Sequence, residues 1–129
     1  MEVINLAEHL NKAGMDHKAG IRIIRATGDE TCSLYVAEIL PNTWLHAHYH
    51  QHGIEIYQIM EGKGVMRIGT RDHTGTAWKE EHAVAAGDCF TVPEGGVHQL
   101  GNPTDQRLIA CFICPPSHLG DDRFFMEEG

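Results

Sequence analysis

The chain has 129 residues, 42% of them hydrophobic, and ten Lys and Arg against eighteen Asp and Glu give it a formal charge of −8. That length suits one compact domain, and that charge excludes nucleic acid or an anionic membrane surface as partner, since both need a basic patch to displace counterions. No basic leader precedes an apolar run, and no apolar stretch approaches the roughly 20 residues a bilayer demands, so the expectation is a soluble, cytoplasmic protein.

In chain order, the first element is a short helix. Asn5 can cap it, Glu8 sits three residues on, Leu6 and Leu10 share a face, and Gly14 can end the turn. From Gly20 onward the signals are those of strands. IRIIRA, CSLYVAEIL, GIEIYQIM, GVMRIG, TAWKEEHAV, DCFTV, VHQL and RLIACFIC are short runs rich in β-branched and aromatic residues. Between them PNT, EGKG, RDHTG, AAGD, PEGG and GNPTDQ supply turn chemistry. Strands at this spacing, with no helices long enough for crossovers, predict an all-β, antiparallel sandwich or barrel over about residues 20–115 of a single domain, 1–129. The tail, 116–129, loses the alternation but keeps Leu119, Phe124, Phe125 and Met126 as apolar surface to dock. It reads as a short helix, or as an arm packing on the barrel or on a second subunit.

Cys32, Cys89, Cys111 and Cys114 are even in number, but without a secretory signal they are expected to be reduced and buried. The spacing in CFIC matches a redox motif, yet LIACFIC is a strand-like run with no helix start to activate a thiol.

The chemistry concentrates in two segments. In HAHYHQHGIEIYQIMEG, His48 and His50 are two apart and share one face of a strand, as two ligands of one ion require, and Glu55 follows after a turn. In GDCFTVPEGGVHQLGN a strand runs into Pro93, a glycine-rich turn follows, and His98 opens the next strand, where a hairpin can carry it to the first cluster.

Together these segments resemble the two motifs of the cupin superfamily. His48, His50, Glu55 and Gly62 stand in register with the first motif, and Gly87, Pro93, Gly95, His98 and Asn102 with the second. Asn42 stands where the first motif opens with glycine; Asn tolerates the left-handed conformation, so the turn is expected to survive. The resemblance implies a jelly-roll barrel holding a metal in its mouth through His48, His50, Glu55 and His98, and pairing as a homodimer. Imidazole nitrogen with one carboxylate independently suits one divalent Fe, Mn, Ni, Zn or Cu ion, and leaves coordination positions open.

Around these ligands several residues are candidates. His46 continues the histidines' parity and reads as a pocket acid or base, as a donor orienting a ligand, or as a histidine at the solvated rim. Tyr57 shares Glu55's parity and reads as a proton donor or as a core aromatic. Trp44 is a candidate wall of a substrate pocket and Phe90 and Phe112 read as core or as lining of that pocket, whereas His118, like His9, His17, His73 and His82, is given no role. Two functions fit. One is a metal-dependent enzyme of dioxygenase or isomerase/lyase type, acting on a small polar substrate such as a sugar derivative or an oxygenated acid. The other is a non-catalytic cupin that binds metal and a small ligand to sense or sequester it.

Overall fold

A computed structural model describes residues 1–127. In chain order it contains α1 (Leu6–Leu10), β1 (Gly14–Asp16), β2 (Ile21–Gly28), β3 (Ser33–Ile39), β4 (Thr43–Trp44), β5 (His48–Tyr49) and β6 (Glu55–Glu61). There follow β7 (Lys63–Asp72), β8 (Gly75–Ala85), β9 (Cys89–Val92), β10 (Val97–Asn102), β11 (Leu108–Cys114), a 3-10 turn at Pro116–Leu119, and β12 (Phe124–Phe125). The eight strand-like runs correspond to the eight longer strands from β2 onward, β4, β5 and β12 being too short to leave a pattern.

The strands form two antiparallel six-stranded sheets. One runs β1-β2-β3-β11-β6-β9, the other β12-β5-β10-β7-β8, with β4 also paired to β10. This is the jelly-roll arrangement, and alternation decides what lies between its sheets. Tyr35, Ala37 and Ile39 of β3, Ala110 and Phe112 of β11, and Tyr57 and Ile59 of β6 face Met66, Val84 and Leu100 of the opposing sheet in one buried cluster. Helix α1 packs outside, where Leu10 joins Val36 and Ile109 in a smaller cluster. Asn5 caps it by accepting the Glu8 N–H at 3.0 Å. The helix stops at Leu10 rather than reaching Gly14, which opens β1 instead.

Two backbone positions shape the turns. Asn42 holds φ at +56°, the left-handed conformation expected of it. Gly62 holds +87°, and a Cβ there would approach the Arg107 carbonyl oxygen to 2.4 Å, so the β6–β7 turn needs glycine for both conformation and space.

Both ends of the chain join the sheets. β1 adds an edge to the first, and the C-terminal arm returns to its own barrel, where β12 pairs with β5. All four cysteines are free; Cys111 and Cys114 are buried as expected, but Cys32 and Cys89 are exposed, because Cys32 precedes β3 at a turn and Cys89 sits on the outer face of the edge strand β9. Among the described residues no helix is long and apolar enough to cross a membrane.

Candidate metal centre

The alternation breaks between β4 and β5, and the break decides which histidines face inward. The chain leaves strand conformation between Trp44 and His48. Leu45, Ala47, His48 and His50 are buried, whereas Trp44 and His46 are exposed. Parity counted backward from His48 presumes one unbroken strand, so both expectations resting on it are corrected. Trp44 lies across Gly101 on the outside of the barrel, so close that a Cβ at that glycine would meet its ring at 2.1 Å. His46 turns its ring outward, with Nδ1 2.6 Å from the Lys18 carbonyl and an edge contact to Phe125. Its ring is therefore at the surface, while its backbone carbonyl holds His48.

Three imidazoles converge. His48 and His98 lie directly opposite one another on β5 and β10, with ring centroids 4.2 Å apart, and His50 closes the group. Each directs Nδ1 at a backbone carbonyl: His48 at His46 O (2.8 Å), His50 at Asp122 O (2.6 Å) and His98 at Gly96 O (3.0 Å). A carbonyl only accepts, so each Nδ1 carries a proton and each neutral ring presents its Nε2 lone pair. The Nε2 atoms of His50 and His98 are buried without a hydrogen-bond partner.

Glu55 reaches in from the opposing sheet at the start of β6. Its Oε2 lies 2.9 Å from His50 Nε2 and its Oε1 3.7 Å from His98 Nε2. Lone pairs and a carboxylate gathered in a buried pocket repel one another unless a cation lies among them. Burial alone would raise the Glu55 carboxyl, but hydrogen bonding, first of all from His118, outweighs it and holds the group well below the usual carboxylate range. Burial, reinforced by neighbouring His98, pushes His48 well below the ordinary imidazole value, which keeps its lone pair available. The donor set fits a divalent transition ion.

His118 is the residue that sequence reasoning missed. The 3-10 turn places it fully buried, with Nδ1 2.8 Å from Glu55 Oε2, Nε2 2.6 Å from the His52 carbonyl, and its ring stacked on His50 at 4.0 Å. Burial opposes its protonation, but Glu55 and the His52 carbonyl overcome that and raise it above the ordinary imidazole value. A histidine in an irregular tail carries no local signal of this.

The adjoining cavity is narrow, about 30 Å³, room for a water or two. Tyr57, Phe112, Leu45, Leu119 and Arg123 line it beside the ligands. Phe112 stacks between Tyr35 and Tyr57, both at 5.3 Å, and Tyr57 stacks in turn on Phe90, a ladder built from cross-strand neighbours on β3, β11, β6 and β9. Phe90 stands at its far end and faces a second groove with Met66, Ile68 and Val84, so it does not wall the metal cavity as expected. Burial and the Glu55 charge push the Tyr57 hydroxyl well above its usual pKa, so it remains a donor.

A family model described as Cupin domain matches residues 35–114, the span that contains all four candidate ligands. The chain belongs to the cupin family. Solved structures repeat the fold. TT1209 from Thermus thermophilus superposes with a TM-score of 0.69 at 22% identity, over 89% of this chain and 98% of that one. A recombinant oxalate oxidase in complex with glycolate gives 0.69 at 20% identity, over 89% of this chain and 60% of its own. A cupin-superfamily sugar phosphate isomerase from Silicibacter pomeroyi gives 0.52 at 25% identity, over 67% and 51%. Identities of 20% and 22% show the fold alone, and the residues of this cupin must carry its chemistry.

Proposed function

We propose that this cupin is a metalloenzyme that holds one divalent transition ion through His48, His50, Glu55 and His98 and acts on a small polar substrate, an oxygenated acid or a sugar derivative. The observation that carries the reading is the convergence of imidazole Nε2 lone pairs and one carboxylate in a buried site where two of those nitrogens have no other partner. Structural neighbours described as an oxalate oxidase and a sugar phosphate isomerase support the substrate class. A bound ion supplies Lewis acidity or, for a redox metal, electron transfer. The chain supplies the rest. Tyr57 keeps a protonated hydroxyl among the cavity-lining residues, Phe112, Leu45 and Leu119 give the cavity apolar walls, and Arg123, paired with Asp16, adds polar N–H groups to its lining.

The narrowness of the cavity favours a second reading, in which the cupin binds metal and a small ligand without turning it over. We propose further that it works as a homodimer in a reducing, cytoplasmic setting. Four free thiols support the compartment, and exposed Ile54, Ile56, Met60 and Ile113 on and beside the outer face of the first sheet support pairing, which light scattering reads directly.

The test is elemental analysis of untagged protein, then oxygen-uptake and isomerisation screens on small hydroxy acids and sugar derivatives. One metal per chain, lost in a folded double variant His48→Ala/His50→Ala, supports the centre; the same metal content in the variant refutes it. Turnover with any of these substrates supports the enzyme, and tight binding without turnover favours the second reading.

A further inference from the structure

The C-terminal arm grips the histidine segment at almost every residue. Asp122 accepts the Gln51 and His52 N–H groups on its carboxylate, at 2.7 and 3.0 Å, and the Nδ1 proton of His50 on its carbonyl. Phe125 pairs with His48, Met126 N–H donates to the Ala47 carbonyl at 2.9 Å, and Arg123 ties the arm to Asp16 on β1 at 2.6 Å. At the centre of this grip lies His118, and its position admits two roles: a further metal ligand or a group that acts through Glu55.

The hydrogen bonds separate them. His48, His50 and His98 each spend Nδ1 on a carbonyl and keep Nε2 free. His118 spends both nitrogens, one on Glu55 Oε2 and the other on the His52 carbonyl, so it has no lone pair to offer an ion. What it does is occupy one carboxylate oxygen of Glu55, leaving Oε1 on the side of His98. Its ring, parallel to that of His50 within 2°, prevents that ligand from turning.

We infer that His118 is the positioning residue of this metal centre: it orients Glu55 and braces His50, and because it arrives on the C-terminal arm it couples docking of the arm to metal binding. The inference rests on the metal-centre reading. Coupling is reciprocal, so metal must tighten the arm as much as the docked arm tightens the metal. Arm closure is then part of assembling the site.

The test uses full-length protein and Co(II). The Kd comes from chelator competition, and the ligand environment from the Co(II) visible spectrum. His118→Phe is expected to weaken Co(II) binding by about 10–100-fold and to shift the spectrum, and His118→Asn, which restores a donor at the Nδ1 position, to recover most of the affinity. Equal losses in both variants, or affinity and spectrum unchanged in His118→Phe, would overturn the inference. Should His118→Phe fail to fold, the wild type decides: Co(II) is expected to slow chymotryptic cleavage at Phe124 and Phe125 severalfold, with no such effect in His48→Ala. Cleavage of the wild type at the same rate with and without bound Co(II) overturns the coupling. Wild type that takes up no Co(II) overturns the metal-centre reading as well, whereas loaded wild type with indifferent His118 variants overturns this inference alone.

Discussion

Replacing Glu55 with Gln probes the centre at its carboxylate with little change of volume. The amide oxygen can keep the position that accepts from His118 at 2.8 Å, while the amide nitrogen takes the place of Oε1, facing the Nε2 of His98 at 3.7 Å. The metal-free variant is therefore expected to fold. Metal binding is another matter, because removing one partner from a buried charged set costs about 3–5 kcal/mol, more than 100-fold in affinity. At a metal concentration about 100 times the wild-type Kd, binding stabilises the native state by about 2.7 kcal/mol. With an unfolding entropy of about 2.1 cal/mol/K per residue, a chain of 129 residues should melt about 10 °C higher. Under the same conditions Glu55→Gln gains less than about 0.5 kcal/mol, a rise below about 2 °C. Scanning fluorimetry of chelator-stripped protein, titrated with Zn(II) or Co(II), reads both shifts. Equal metal-induced shifts in the two proteins would refute the assignment of Glu55 as a ligand.

Asn102 is fully buried and donates to the carbonyls of Ile39, Leu40 and Gln106 while accepting from Thr104, so it ties together the loops at one end of the barrel. At about 1 kcal/mol per lost bond, Asn102→Ala is expected to lower the urea-unfolding free energy by about 3 kcal/mol, and a loss under about 1 kcal/mol would contradict that role. For Asp122, burial raises the carboxyl but the N–H groups of Gln51 and His52 prevail and hold it below its usual value. Such a depressed group adds stability above its unfolded pKa and loses it as pH falls through the folded one. The stability gap between wild type and Asp122→Asn, measured by urea midpoint without metal, is thus expected to be widest near pH 7 and to close below about pH 4. A gap independent of pH would count against the clamp.

How much was legible follows from how local each signal is. His48 and His50 are readable together because two residues along a strand return a side chain to the same face, and Glu55 follows them within one turn. His98 is distant in the chain, yet its Pro and Gly neighbours mark the hairpin that carries it. Trp44 and His46 fail the same parity rule because the chain leaves the strand at Leu45, and no residue type announces that break. Phe90 keeps its inward parity, but an edge strand places it at the wrong end of the aromatic ladder.

By itself, then, the sequence determined the strand-rich class and the antiparallel connections and pointed to four candidate ligands, since alternation, turn chemistry and motif spacing act over a few residues. Only the tertiary structure decided that the arm returns to its own barrel and that His118, 63 residues beyond Glu55, takes hold of that carboxylate. That contact depends on two irregular segments meeting across the cavity mouth, where burial and complementary hydrogen bonds select the partner and sequence spacing carries no information about it.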